Sequence, residues 1–214
     1  MAAAPLDAQE RAALCQLLDE LGPAAPTLIE GWTAHDLAAH LVLREHDPIA
    51  APCLVLPGPF ARFAERRRAA LAAGHDDAWL VERVRSGPPR GFFRLGWVRS
   101  FANLNEYFVH HEDLRRANGL GPRHLSPALD DALWRNLRRG GRFLGRRVRG
   151  AGLEAERSPS SEVATLRTGQ PTARLRGEPG ELLLYLFGRQ QVAEAELSGP
   201  ADAVAAVQRA HLGM

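Results

Sequence analysis

The sequence predicts an α+β protein in which a helical part is followed by a small mixed part. Apolar residues recur at helical spacing in several segments before residue 148. Beyond Gly150 the pattern changes to short runs of alternating character, which is typical of strands. The 214 residues are 45% hydrophobic and 24% charged, as in an ordinary globular protein. We therefore expect a helical bundle domain over residues 1–150 and a small α+β domain over residues 151–214.

Composition and charge argue against several classes of protein. A formal net charge of +2 gives no reason to expect a nucleic acid or an anionic membrane as a partner. The two cysteines, Cys15 and Cys53, form no CxxC motif and follow no secretory signal, so a disulfide framework is not expected. The N-terminal segment has no apolar run long enough to span a bilayer. The expected compartment is the cytoplasm.

The first two helices have clear local signals. Residues 7–21 carry apolar side chains at helical spacing, and a Gly-Pro pair follows them. Thr33 and Asp36 have the spacing of a capping box, in which each side chain bonds the backbone of the other. This pattern predicts a second helix over about 34–44.

The next elements are less sharply defined. Four prolines make residues 47–59 an irregular connection. Residues 60–73 and 76–85 are expected to form one long helix or two helices broken near Gly74. The arginine run at 66–68 is expected on the solvent-exposed face of this region.

Two longer helices and the mixed part complete the chain. Helices are expected over 95–117 and 126–148, the second with Ser126 as its cap and proline at its first position. After residue 150, VATLRT and TARLRG predict two strands joined by a turn. EPGELLLYLFGR predicts a helix, VAEAELSG another strand, and residues 200–213 a terminal helix.

A candidate metal site combines His40 with Glu106 and His110. Because Glu106 and His110 are four residues apart on a predicted helix, their side chains leave one face about one turn apart. Imidazole and carboxylate suit zinc and other first-row divalent ions, and three protein ligands leave a position for water or substrate. Taken alone, such a pair is also typical of a helix surface.

The sequence around these residues is apolar, which indicates that they are at least partly buried. A buried carboxylate needs a compensating partner, and a histidine in the segment DLAAHLV is often a hydrogen-bonded core residue. Both a metal site and a buried hydrogen-bonded cluster without metal therefore remain open.

The other histidines and a neighbouring glutamate have simpler expectations. His111 and Glu112 point to other faces of the helix than His110 and are expected to be structural. The remaining histidines lack a partnered spacing and are expected at the surface. The surface histidines are His35, His46, His75, His124 and His211.

Two segments carry a resemblance to a known family. The stretch GWTAHDLAAHLVLRE followed by NEYFVHHEDLRRA resembles the mycothiol-dependent maleylpyruvate isomerase family, within the DinB-like metal-binding four-helix bundles. The C-terminal ELLLYLFGR with its strand and terminal helix is similar to the small second domain of that family. The resemblance covers nearly the whole chain and is closest to a branch described only as metal-binding. It implies a DinB-like four-helix bundle with a small α+β second domain.

The resemblance also implies roles for individual residues. His40, Glu106 and His110 would hold the metal, which is typically zinc, or another divalent ion. Asp113 would either orient a ligand from outside the coordination sphere or have a capping or surface role. Arg189 would either pair with a substrate carboxylate as a catalytic residue or neutralise carbonyl charge at a helix end.

The implied chemistry depends on a small thiol. The family uses mycothiol for cis-to-trans isomerisation of maleylpyruvate, and related proteins transfer similar thiols to electrophiles. An open divalent ion would lower the pKa of a bound thiol, so that the nucleophilic thiolate exists at neutral pH. The resemblance thus implies a metal-dependent enzyme for isomerisation or S-transfer on a small electrophilic substrate. The alternative is a non-catalytic metal- or ligand-binding module. Oligomeric state, thiol and substrate stay open.

Overall fold

The structure is a computed structural model that describes residues 4–89 and 91–213. By its internal contacts the chain forms two compact units, Met1–Pro122 and Arg123–Met214. The first unit is helical, and the second combines helices with a four-stranded sheet. The expected α+β class is therefore confirmed. Across the described ranges, no helix has both the length and the apolar character needed to cross a bilayer.

The N-terminal unit consists of helices joined by irregular connections of different lengths. Its helices are α1 (Leu6–Leu21), α2 (Ala34–His46), α3 (Pro59–Gly74), α4 (Asp77–Ser86), α5 (Gly96–Val98) and α6 (Leu104–Ala117). A 3-10 turn at Ala51–Val55 lies in the proline-rich connection, and a π-helical segment at Arg99–Asn103 joins α5 to α6. The region after residue 59 is thus two helices and not one.

Four of these helices enclose one apolar core. Leu14 of α1, Leu37 of α2, Leu80 of α4 and Tyr107 of α6 are completely buried in the same cluster. Each helix contributes a stripe of apolar residues at helical spacing, and packing the stripes together removes them from water. This burial stabilises the fold by about 25 cal/mol per Å² of apolar surface. α3 packs against the outside of α2. This arrangement sets α2 and α6 so that polar side chains from both can meet.

The C-terminal unit packs helices against a mixed sheet. Its elements are α7 (Pro127–Leu144), β1 (Gly152–Arg157), β2 (Glu162–Arg167), β3 (Thr172–Gly177), α8 (Pro179–Leu186), β4 (Glu196–Ser198) and α9 (Ala201–Arg209). The strand order is β2-β1-β3-β4, with β1 parallel to β3 and the other two pairs antiparallel. Ser126 caps α7 through the backbone N–H of Leu129, as its sequence predicts.

Three features differ from the sequence-based expectation. Strand β1 was not expected, although it pairs with both β2 and β3. The strand expected in VAEAELSG is reduced to the three residues of β4. By internal contacts α7 groups with the sheet, whereas the expected division at residue 150 places it with the earlier helices.

Two glycines allow the end of α7 to lie close to β2. A Cβ on Gly141 would lie 2.4 Å from Cδ2 of Leu166, and a Cβ on Gly145 would lie 3.0 Å from the carbonyl oxygen of Leu166.

Candidate metal centre

Two polar stripes run along α2 and α6 inside a largely apolar unit. Residues three or four apart on a helix share a face, so each stripe presents its side chains in one direction. The members are Asp36, His40 and Arg44 on α2, and Asn103, Glu106, His110 and Asp113 along the π-helical segment and α6. His40 and Arg44 both contact Glu106, which brings the two stripes together.

The three residues expected to bind metal converge on one point. His40 Nε2 lies 3.0 Å from Glu106 Oε1, and His110 Nε2 lies 3.2 Å from the same oxygen. One ligand atom from each residue falls within 4.8 Å of the others. Ligand atoms around a tetrahedral zinc, at bond lengths of about 2.0–2.2 Å, lie about 3.4 Å from one another. The two histidine nitrogens would therefore have to move only slightly away from Glu106 Oε1 to make room for such an ion. Each side chain is only about a tenth exposed.

Asp113 orients His110 from behind. Its Oδ2 lies 3.0 Å from His110 Nδ1, and the side chain is completely buried. This contact places a proton on Nδ1 and points Nε2 at Glu106, the arrangement found in carboxylate–histidine–metal sites. Burial alone would lower the pKa of His110, but the hydrogen bonds with Asp113 and Glu106 raise it to about 9. The geometry fits the orienting role of Asp113 and leaves no surface role for it.

His40 has a different environment. Burial lowers its pKa below the ordinary histidine value, so the ring is neutral near pH 7 and can offer a lone pair. Its Nδ1 is buried without a hydrogen-bond partner among the described residues. The ring is instead held by aromatic neighbours, because its centroid lies 5.2 Å from that of Trp32 and 5.0 Å from that of His110.

The start of α2 fixes the position of His40. Thr33 and Asp36 form the expected capping box, with Thr33 N donating to Asp36 Oδ2 at 3.0 Å. Arg68 of α3 donates to Asp36 Oδ1 at 2.6 Å and lies over the ring of Trp32, 4.7 Å from its centroid. Arg68 is therefore buried, and its expected place on a solvent-exposed face was wrong because an ion pair with Asp36 draws it inward. The Trp-Thr-x-x-Asp motif thus anchors the helix that carries His40.

A nearby arginine keeps the carboxylate of Glu106 ionised. Burial would raise the pKa of Glu106, but the charge of Arg44 and the hydrogen bonds from His110 and His40 hold it well below its ordinary value. Arg44 Nε lies 3.6 Å from Glu106 Oε1. Sequence reasoning missed Arg44, although its position four residues after His40 on the same helix was a usable signal.

The remaining candidate residues lie apart from this cluster or serve other contacts. His111 pairs with Glu10 at 3.3 Å, in agreement with a structural role. His35 Nε2 donates to the Ala72 carbonyl oxygen at 2.9 Å and His46 is half-buried, so neither is the surface histidine expected. Their burial follows from packing of α2 against its neighbours. The exposed histidines are His75, His124 and His211.

Arg189 follows α8 in the C-terminal unit. Its Nη1 donates to the Phe187 carbonyl oxygen at 2.6 Å, a contact close to a helix end. This contact fits the helix-terminal alternative, since an arginine there offsets carbonyl charge. The catalytic role assigned to Arg189 by resemblance stays a prediction.

Two solved structures share the fold of this chain. One is the crystal structure of a histidine-to-alanine variant of the mycothiol-dependent maleylpyruvate isomerase, with a TM-score of 0.55, 16% identity, and coverage of 89% of this chain and 90% of that chain. The other is a crystal structure of the mycothiol-dependent maleylpyruvate isomerase, with a TM-score of 0.52, 18% identity and 90% coverage of both chains. No family model and no curated protein matches the sequence. At this level of identity, the likeness is one of fold, and it extends over about nine tenths of the chain.

Proposed function

We propose that this chain is a divalent-cation-dependent enzyme that uses a small thiol in isomerisation or S-transfer on a small electrophilic substrate. Zinc is the proposed cation, mycothiol or a similar compound is the proposed thiol, and the cytoplasm is the proposed compartment. The convergence of His40, Glu106 and His110 carries the proposal, because their ligand atoms already lie within 4.8 Å of one another. The shared fold with the mycothiol-dependent maleylpyruvate isomerase supports the choice of thiol chemistry.

The residues of this chain fit such an ion in number and chemistry. Two imidazole nitrogens and one carboxylate oxygen are the donor set of many open divalent sites, and a fourth position is left for a ligand. A divalent cation bound there would lower the pKa of a thiol that joins it, so that thiolate exists at neutral pH.

The protein side of the mechanism consists of holding charges and protons in place. Asp113 keeps a proton on Nδ1 of His110, which leaves Nε2 to face the site. In the described arrangement Nε2 of His110 donates to Glu106, and uptake of a cation would release that proton to solvent. His40 contributes a neutral ring and Glu106 a single negative charge. The low exposure of all three limits the access of water to the site.

The test of this proposal is metal content combined with thiol-dependent turnover. The protein would be purified without chelators, its divalent metals measured by elemental analysis, and electrophiles screened for consumption in the presence of mycothiol. We expect about one zinc per chain and turnover that requires both metal and thiol. His40→Ala should lose both, whereas His124→Ala, which alters an exposed histidine outside the cluster, should keep both.

Two other outcomes would identify the alternatives. Tight zinc binding without turnover for any thiol tested would favour a non-catalytic binding module. Absence of zinc in the wild-type protein, even after dialysis against the metal, would favour a hydrogen-bonded cluster and overturn the proposal. The predicted substrate contact of Arg189 has its own test. Arg189→Met should raise KM for a carboxylate-bearing substrate, and its zinc content should stay close to that of the wild-type protein.

A further inference from the structure

Arg44 is a buried cation beside the candidate metal ligands. It follows His40 by one turn of α2, so both side chains leave the same face. Its Nε lies 3.6 Å from Glu106 Oε1, the same oxygen that both histidines contact, and its side chain is 10% exposed. Burial of an arginine is costly unless its charge and its donors are compensated.

The guanidinium of Arg44 is held by two further contacts. Nη1 donates to Asn103 Oδ1 at 3.1 Å, and the guanidinium carbon lies 4.8 Å from the centroid of the Phe93 ring. Asn103 is itself fixed, because its Nδ2 donates to the Phe93 carbonyl oxygen at 2.9 Å and the residue is completely buried. Asn103 ends the π-helical segment before α6, and such segments are frequent at functional sites.

These contacts have a consequence for Glu106. A histidine that binds a cation must direct the lone pair of its nitrogen at the ion, so it no longer donates through that nitrogen. The contacts of His40 and His110 with Glu106 Oε1 would therefore end on cation binding. Among the described contacts of that oxygen, the ion pair with Arg44 is the one that cation binding leaves in place.

We propose that Arg44, clamped by Asn103 and Phe93, is a positioning residue that holds the Glu106 carboxylate in its cation-binding orientation. This inference rests on the proposed cation site and adds a residue that the ligand set does not include. Arg44 acts through its ion pair with Glu106.

A charge effect and a positioning effect predict opposite changes in zinc affinity when Arg44 is replaced. A positive charge beside the site repels a divalent cation, so on charge alone its removal would tighten zinc binding. A residue that fixes a ligand contributes to affinity, and loss of such outer contacts typically weakens metal binding by about 10–100-fold. The sign of the change therefore separates the two roles.

The experiment measures zinc affinity of the full-length chain by competition with a chromophoric chelator. Arg44→Met keeps much of the aliphatic stem and removes the charge and the donors. We expect zinc binding to weaken by about 10–100-fold relative to the wild-type protein. Arg99→Met is the matched control, because Arg99 also forms a close ion pair, with Asp7 at 2.9 Å, but does not contact the ligands. Its zinc affinity should stay at the wild-type value.

A second variant keeps the positive charge in place. Asn103→Ala removes the anchor of Arg44, so positioning predicts weaker zinc binding and charge alone predicts no change. In both variants the visible absorption of bound Co²⁺ should differ from that of the wild-type protein, because a released carboxylate changes the coordination geometry. Far-UV circular dichroism identifies any variant that does not fold, and the other variant then decides.

The outcomes distinguish this inference from the proposed function. Wild-type protein that binds no zinc would overturn both. Wild-type binding together with equal or tighter binding by Arg44→Met, or by Asn103→Ala where Arg44→Met does not fold, would overturn the role of Arg44 and leave the cation site standing. Weaker zinc binding by Arg44→Met, or by Asn103→Ala where Arg44→Met does not fold, supports the positioning role if the Co²⁺ spectrum of that variant is altered and the zinc affinity of Arg99→Met is unchanged.

Discussion

The residues buried on α6 form two kinds of polar contact. One kind is a plain pair that joins helices, such as His111 with Glu10 and Tyr107 with Glu45. In such a pair each member gives the other a hydrogen-bond partner, which offsets part of the cost of burying both, although Oε2 of Glu45 has no hydrogen-bond partner among the described residues. The cluster around Glu106 differs, because two imidazoles converge on one oxygen. That convergence is the observation that supports the proposed cation site.

The contact between Asp113 and His110 leads to a prediction for metal affinity. In Asp113→Asn, the amide can present either its NH₂ or its carbonyl oxygen to Nδ1, so the proton on Nδ1 is no longer fixed by charge. We expect zinc affinity to fall by about 10–100-fold while the fold is kept. Competition with a chelator measures the affinity, and circular dichroism checks the fold.

A matched carboxylate provides the control for this change. Asp76 is an exposed N-cap that accepts from the backbone N–H of Trp79 at 2.8 Å, outside the candidate metal centre. Because asparagine is also a good N-cap, Asp76→Asn should change neither stability nor zinc affinity measurably. Equal zinc affinity in Asp113→Asn and Asp76→Asn would contradict the orienting role of Asp113.

At the scale of elements, local signals were predictable and non-local ones were not. The capping box at Thr33 and the cap at Ser126 depend on neighbours three residues away, so the starts of α2 and α7 follow from the sequence. Strand β1 has the sequence GLEAER, rich in residues that favour helices. It becomes a strand because β2 and β3 pair with its two edges, and such pairing overrides intrinsic propensity.

The candidate site shows the same division. Glu106 and His110 could be proposed from their spacing of four on one helix, and the resemblance adds His40 from another helix to them. The contribution of Arg44 depends on how α2 packs against α6, and that of Asn103 depends on the π-helical segment. The spacing of four places Arg44 on the same face of α2 as His40. It does not predict the contact of Arg44 with Glu106 or with Asn103, because each contact requires the relative placement of two segments.

The approach of α7 to the sheet leads to a prediction at the scale of one element. A Cβ on Gly141 would lie 2.4 Å from Cδ2 of Leu166, which is buried and has little room to move. Overpacking costs about 1–3 kcal/mol, and replacing a helical glycine by alanine recovers about 1 kcal/mol. Gly141→Ala should therefore lower the free energy of unfolding by about 1 kcal/mol.

The control uses a glycine in open space. A Cβ on Gly74, at the end of α3, would meet no atom within 4 Å. Gly74→Ala should then be neutral or stabilising by up to about 1 kcal/mol. Urea unfolding of both variants measures the two values. A Gly141→Ala protein as stable as Gly74→Ala would show that the contact of α7 with Leu166 is not tight.

At the scale of the whole molecule, the candidate metal centre belongs to one unit. His40, Arg44, Glu106, His110 and Asp113 all lie within Met1–Pro122. A cation that binds the folded site and not the unfolded chain stabilises the folded state by mass action. Because its ligands come from α2 and α6, the cation would connect two helices that are distant in sequence.

Removal of zinc should therefore lower stability in a way that can be located along the chain. At free zinc about 100-fold above its dissociation constant, the gain is about 2.7 kcal/mol. Hydrogen exchange with and without a chelator should show faster exchange on metal removal over α2 and α6. His40→Ala should show the metal-free pattern under both conditions. A chelator effect of equal size in His40→Ala would mean that zinc binds elsewhere, because this variant lacks one of the three ligands that hold α2 and α6 together.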